Sequence, residues 1–314
     1  MLGYFGPEGT FTHQALLALA GDTRFGTDVA TAAPFASVAA ALEAVRQGNV
    51  DAVMVPIENS VEGGVSATLD DLGNPDATPV QIIAEVLVDV TFDLAVRPGT
   101  ELADIRQVIT HSHAAAQTRA FLASTLPQAT VIEKGSTAGA AKQVADPASG
   151  FDAAICAPVA TKLYGLTPLA HDIADNDAGV TRFVLVARRC DCPPPTGHDK
   201  TTLAAYLYAD RSGALLEILQ QFAVRGVNLC RIESRPTKTT LGSYCFSIDA
   251  EGHIDDARMA ETLMGLKRVC QNVVFLGSYP RADEVASQIV DGASDSDYAS
   301  AQNWVADLSN HPAL

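Results

Sequence analysis

Leu2-Gly3-Tyr4-Phe5-Gly6-Pro7-Glu8-Gly9-Thr10-Phe11-Thr12-His13 opens the chain with a short apolar run, a Gly/Pro turn and a helical pattern that continues to about Ala20. An apolar run bounded by turn formers reads as a buried strand, and the spacing after Thr12 reads as a helix. The same rhythm recurs downstream. Ser37 is placed to cap an Ala-rich helix ending at Gly48, Ala52–Val55 is a buried strand, and Gln107–Thr110 leads into a helical Ala114–Ser124. Thr130–Glu133 precedes a helix beginning near Ser136, Ala153–Cys156 precedes one at Pro158, and Thr181–Ala187 is a final strand. Strands alternating with helices predict an α/β domain with mostly parallel sheets.

One interruption breaks the rhythm. Gln81–Val88 and Thr91–Val96 are extended apolar runs with no room for a crossover helix between them, as expected where a chain passes from one lobe to another. The reading is a bilobal domain over 1–189, with a second lobe at about 76–165 and a ligand cleft between the lobes. Cys190–Lys200, with Pro193-Pro194-Pro195 and Gly197, is the clearest boundary, and 190–199 is read as a linker. After it the order is strand (Thr201–Tyr208), helix (Gly213–Ala223), strand (Val227–Arg235), strand (Tyr244–Ala250), helix (Asp255–Cys270) and strand (Val273–Tyr279). This is the β-α-β-β-α-β ferredoxin-like plan over 200–280. The tail 281–314 is serine-rich with net charge −5. It is either disordered or docked through an amphipathic turn carrying Trp304, Val305 and Leu308.

The 314 residues suit two domains better than one. Lys and Arg number 21 against 37 Asp and Glu, and a net charge of −16 repels phosphate backbones, which argues against nucleic acid as a partner. With no apolar stretch of about 20 residues and no basic segment ahead of an apolar one at the N-terminus, a soluble cytoplasmic protein without a membrane partner is expected. Cys190, Cys192 and His198 lack a fourth ligand at zinc spacing, so no metal is expected and the six cysteines are read as thiols.

Three strand-to-helix junctions put hydroxyl or imidazole side chains at a helix start: Gly9-Thr10-Phe11-Thr12, Thr110-His111-Ser112-His113 and Gly135-Ser136-Thr137-Ala138-Gly139. Each is explained by ordinary N-capping. Three converging on one cleft would equally make an anion site. The first turn lacks the Gly-x-Gly-x-x-Gly of a dinucleotide site, with Pro7 and Glu8 in the way, which disfavours a dehydrogenase. Residues 1–187 hold only nine Lys and Arg. Among them Arg182, between Thr181 and Phe183, either grips a carboxylate through two parallel bonds or pairs with Asp175 or Asp177. In Val55-Pro56-Ile57-Glu58-Asn59-Ser60, Pro56 is read as stopping the strand and Asn59 as donor and acceptor; Glu58 is either a general acid or a solvated loop residue.

Gly6-Pro7-Glu8-Gly9-Thr10-Phe11, Val55-Pro56-Ile57-Glu58-Asn59-Ser60 and Thr181-Arg182-Phe183 together resemble the prephenate dehydratase family of the monofunctional bacterial type. Gly213-Ala214-Leu215-Leu216 and Glu233-Ser234-Arg235-Pro236 resemble the two ligand motifs of that family's regulatory ACT domain. The resemblance implies an α/β fold made of a bilobal, periplasmic-binding-protein-like catalytic domain and a ferredoxin-like ACT domain. It implies loss of water and carbon dioxide from prephenate to give phenylpyruvate, on the route to phenylalanine, with no metal or organic cofactor.

The resemblance assigns Thr181 to the leaving hydroxyl, Arg182 to a substrate carboxylate and Phe183 to packing of the site. A threonine hydroxyl is too weak an acid to act alone, so His111 and Glu58 are the candidate relay partners. Thr10, Asn59, Gln117, Ser136 and Thr137 fall in segments matching those that line the family's cleft. Gly179 stands where relatives often carry asparagine, the nearest asparagine here being Asn176. In the ACT domain Gly213 permits close approach of phenylalanine, Asn228 holds its charged end, and Glu233–Pro236 supplies the facing segment; turn and helix-core roles explain Gly213, Leu215 and Leu216 equally well. A homo-oligomer, commonly a dimer of dimers, completes the expectation. The competing reading is a non-catalytic sensor whose cleft only binds an anion.

Overall fold

The computed structural model describes residues 1–22, 28–61, 63–175, 179–209, 211–237 and 244–309. Asn176 and Asp177 lie outside them. The chain forms two compact units: Met1–Val65 with Val86–Leu185, and Ser66–Glu85 with Val186–Leu314.

The chain begins β1 (Leu2–Phe5), α1 (Phe11–Ala18), β2 (Ala33–Phe35), α2 (Val38–Arg46), β3 (Ala52–Asn59), a two-residue β4 (Gly63–Gly64), α3 (Ser66–Leu72) and β5 (Val80–Val90). It continues with β6 (Asp93–Val96), β7 (Gln107–Thr110), α4 (Ser112–Gln117), α5 (Arg119–Thr125), β8 (Thr130–Glu133), α6 (Thr137–Ala145), β9 (Ala153–Cys156), α7 (Pro158–Leu163), β10 (Thr167–Ala170) and β11 (Gly179–Arg188). Two sheets result. One has the order β2-β1-β3-β11-β5, with β4 on β3; the other is β10-β6-β9-β7-β8.

Three expectations are corrected here. The sheets are mixed and not mostly parallel: β1 runs parallel to β2 and β3, and β7 to β8 and β9, but β6 is antiparallel to both β9 and β10. The short link from β5 into β6 carries the chain from the first sheet into the second. The second sheet spans residues 93–170, whereas β5 belongs to the first, so the boundaries 76–165 shift. Finally, β3 runs through Pro56 to Asn59. Its pairing with β1 ends at Met54, so the N–H that Pro56 lacks falls beyond that ladder.

The second sheet is covered on both faces, and period-two alternation assigns each side chain. Leu94, Val96, Val108, Ala153 and Ile155 join Ala114 and Leu122 in one apolar cluster. Ala95, Ile109, Ala154 and Cys156 join Ala138, Ala141 and Ala160 in another.

The other unit contains β12 (Asp199–Tyr206), α8 (Ala214–Ala223), β13 (Leu229–Pro236), β14 (Tyr244–Glu251), α9 (Ala257–Val269), β15 (Asn272–Pro280) and α10 (Asp295–Ser309). Its sheet, ordered β13-β14-β12-β15 and antiparallel throughout, has the ferredoxin-like arrangement. One face carries Leu203, Ala205, Phe246, Ile248 and Ala250 against Ile218, Phe222, Met259 and Leu266 of the helices.

The opposite face is polar. Thr202 donates to Asp249 (2.7 Å), and Arg231 Nε donates to the same carboxylate (2.9 Å). The segment Ser66–Glu85, which the sequence reading kept inside 1–189, groups with this unit. A buried ion pair explains why: Lys200 Nζ lies 2.9 Å from Glu85, and Arg235 lies 2.8 Å from Asp70. Removing one member of such a pair costs about 3–5 kcal/mol, because the survivor is left buried without its partner.

The linker keeps the length read but is shifted by one residue, since β11 ends at Arg188 and β12 begins at Asp199. Of the two alternatives left open for the tail, the described residues follow neither: Asp295–Ser309 is the helix α10, and its Trp304, Val305 and Leu308 are exposed. Asp295 nevertheless ties the start of α10 to the Ala257 N–H at 2.8 Å.

Candidate active site

The first unit holds a cavity of ≈ 820 Å³ that collects the ends of separate elements. Phe5, Gly6 and Pro7 follow β1, Thr10 and Phe11 open α1, Phe35 ends β2, Asn59 ends β3, and Phe92 follows β5. His111 and His113 come from the start of α4, Ser136 and Thr137 from the start of α6, and Thr181 and Phe183 from β11. Five phenylalanines thus form much of the wall.

All three predicted junctions meet here, and each cap is made. Thr10 Oγ1 accepts the His13 N–H (3.4 Å) and donates to the Pro7 carbonyl (3.0 Å). Ser136 Oγ accepts the Gly139 N–H at 3.0 Å, which leaves its own proton to give. His111 Nδ1 accepts the His113 N–H at 3.2 Å, so a neutral His111 carries its proton on Nε2. Capping and convergence on one cleft are both present, and the first N–H groups of α1 and α6 add a partial positive charge.

Thr181 is aimed by its neighbours. Asn59 Oδ1 accepts the Val61 N–H at 2.8 Å, which fixes the amide so that Nδ2 donates to Thr181 Oγ1, also at 2.8 Å. Because the hydroxyl oxygen accepts from Asn59, its single proton remains to be given to another acceptor. The Asn59 turn is bolted to β11 by Ser60, whose N–H donates to the Val180 carbonyl and whose Oγ accepts the Val180 N–H, both at 2.9 Å.

Arg182 overturns an expectation. Side chains alternate along β11, and Thr181 and Phe183 line the cavity whereas Arg182 does not. Its buried guanidinium bonds Glu58 (NH1 to Oε2, 3.1 Å), and the Asp175 carboxylate takes the Ala120 and Phe121 N–H groups. Glu58 is likewise off the cavity wall and is engaged by Arg182. Gln117 also does not line the cavity; its Nε2 meets His113 Nε2 at 2.8 Å and so orients a residue that does. Among the described residues lining the cavity there is no Lys or Arg.

The wall residues Phe5, Phe11, Phe35 and Phe92 were not singled out from sequence. Their signal was present: Phe5 and Phe35 end apolar runs and Phe92 lies near the start of one, which are the places where strand ends face a cleft.

In the second unit Gly213, Ala214, Leu215 and Ser234 line a smaller cavity of ≈ 380 Å³ with Leu216, Tyr244 and Phe246. Gly213 caps α8 with φ +85°, a conformation glycine adopts without strain. Asn228 is elsewhere. Its amide donates to Glu251 (3.0 Å) and it lines a different cavity from Gly213 of the same copy. Glu233 and Arg235 bond each other at 3.2 Å, and neither they nor Pro236 line the Gly213 cavity.

Two sheets whose strand and helix ends converge on an apolar cleft with hydroxyl, amide and imidazole donors define a small-molecule site. The family model of prephenate dehydratase matches residues 2–191. A prephenate dehydratase of Amycolatopsis methanolica is 44% identical over 308 residues, covering 97% of this chain and 96% of the relative. The crystal structure of prephenate dehydratase from Arthrobacter aurescens in complex with L-Phe superposes with a TM-score of 0.89 at 47% identity, covering 99% of this chain and all of the other. The chain belongs to the prephenate dehydratase family. A chain described as a quorum quenching acylase shares the fold at 30% identity and a TM-score of 0.75, covering 89% of this chain and 97% of the other, so the chemistry must be argued from the site. No described helix is long and apolar enough to cross a membrane.

Proposed function

We infer that the chain converts prephenate to phenylpyruvate, water and carbon dioxide, and that the observation carrying this is the Asn59–Thr181 pair set in a phenylalanine-lined cleft. The ring C–carboxylate bond breaks and its electron pair enters the ring, the C4–O bond breaks, and the departing oxygen takes a proton to leave as water. Thr181 donates a hydrogen bond to that oxygen. As negative charge reaches Thr181 through this bond, the Asn59 N–H stabilises it, so help comes from preorganised dipoles and needs no acidic threonine. A water relay or His111 Nε2–H completes proton delivery.

The two carboxylates have different fates, and the cleft has two kinds of wall to match. The ring carboxylate becomes neutral carbon dioxide, and its loss of charge is favoured against the phenylalanines. The side-chain carboxylate keeps its charge and is held by the starts of α1 and α6, with Thr10, Ser136, Thr137 and His111. Arg182 acts from behind, tying β11 to Glu58.

The C-terminal βαββαβ module serves as the ACT domain, with L-phenylalanine bound around Gly213, Ala214, Leu215 and Ser234. The L-Phe complex of the Arthrobacter relative supports this. A second copy of the module completes the half-exposed pocket in a homo-oligomer, and the reaction belongs to the cytoplasm. Regulation requires phenylalanine to bind one arrangement of the protein better than another.

The test is direct. Purified protein incubated with prephenate at neutral pH is expected to yield phenylpyruvate, read as its enolate absorbance in alkali. A wild-type rate no greater than that of buffer would return the chain to the sensor reading.

A further inference from the structure

We propose that His13 is a positioning residue for the cleft: its neutral ring accepts the Gly9 N–H and thereby holds the Gly6–Thr10 turn in the shape that presents Gly6, Pro7 and Thr10 to the substrate. This rests on the prephenate site described above.

His13 lies on α1 and does not line the cavity. It is buried, at 8% exposure, and its ring stacks on Tyr4 of β1 with centroids 4.6 Å apart and planes 18° from parallel. Nδ1 stands 3.1 Å from the Gly9 nitrogen. Since that nitrogen is a donor, Nδ1 must offer a lone pair, which puts the ring proton on Nε2. The turn needs such a tether. Gly9 has φ +86°, and a Cβ there would press Ala160 and Leu163 of α7 at 3.3 Å, so a side chain is accommodated neither by the backbone nor by the space.

His13 therefore grips the turn twice, through its ring to Gly9 and through its own N–H to Thr10 Oγ1, while Gly6 is fixed on the other side by its N–H to the Phe35 carbonyl (2.8 Å). The substrate-facing Thr10 sits between these anchors.

A proton on Nδ1 would point at the Gly9 N–H, turning an attraction into a repulsion. Two titratable groups face the ring, Tyr4 on β1 and Glu8 in the turn, and Tyr164 after α7 acts on both of these, its hydroxyl donating to the Glu8 carbonyl at 3.2 Å. Burial disfavours the imidazolium and lowers the His13 pKa below 6.5, and the Glu8 charge offsets part of this. The sign follows. Near neutral pH the ring is neutral and the turn is held; as pH falls through the depressed pKa the tether is lost and substrate binding weakens.

Asparagine places Oδ1 where His13 has Nδ1 and does not titrate; leucine fills the space without an acceptor. His13→Asn is expected to keep kcat/KM within about threefold of wild type at neutral pH and to lose the acid limb due to His13. His13→Leu, which leaves the Gly9 N–H buried without an acceptor, is expected to lose about tenfold or more at every pH, mainly through KM. Equal loss in both variants, or an unchanged acid limb in His13→Asn, would overturn the proposal.

The imidazole ¹⁵N shifts of the unaltered protein give a readout that needs neither a variant nor prephenate turnover. Protonation on Nε2 alone at neutral pH is expected, and protonation on Nδ1 would overturn the tether. A protein with the expected tautomer but no phenylpyruvate formation would sink the assigned reaction and leave the tether standing.

Discussion

The Thr181 cavity of the first unit and the Gly213 cavity of the second differ in what their walls are made of. In the first unit, Phe92, Ala114 and Phe183 serve at once as cavity wall and as core, each at most 2% exposed. In the second, Leu215, Leu216 and Tyr244 border the cavity at 38%, 56% and 42% exposure. A wall that is also core cannot relax without disturbing close packing, which suits dipoles that must already be aimed when charge develops. A wall half in water gains apolar burial when a ligand or a second copy covers it, which suits an effector site whose occupancy shifts an equilibrium.

The difference can be broken from either side. Thr181→Val keeps the shape of the side chain and removes the donor, and kcat for phenylpyruvate formation is expected to fall about 10²- to 10³-fold with little change in KM. A loss of less than fivefold would mean that the cleft acts by enclosure and not through an aimed hydroxyl.

The effect expected in the second cavity is smaller. Gly213→Val forces a β-branched residue into positive φ at the start of α8, and L-phenylalanine affinity measured by calorimetry is expected to drop about tenfold. Undiminished affinity would place the effector elsewhere on the protein.

Local chemistry was the legible part of the sequence. Thr10, Ser37 and Ser136 read as caps because a hydroxyl ahead of an apolar helical pattern has one obvious use, and all three accept the expected N–H. Long-range partners were not legible. Nothing near Arg182 announces Glu58, 124 residues away, and nothing near Glu85 announces Lys200, 115 residues away. Two readings failed although their signals were present. Strand alternation alone puts Arg182 opposite Thr181 and Phe183, a signal that both the carboxylate reading of Arg182 and the resemblance pass over. Pro56 was read as a stop because proline removes a donor, but whether that donor matters depends on where the partner strand ends, which only the sheet reveals.

The measurement closest to the heart of the mechanism is a double-mutant cycle on kcat with Asn59→Ala, Thr181→Val and their combination. If Asn59 works by orienting and stabilising the Thr181 hydroxyl, the double variant is expected to be no slower than Thr181→Val alone. Losses that multiply, with the double variant slower by the product of the two single effects, would show the amide and the hydroxyl acting independently and would contradict the aimed donor.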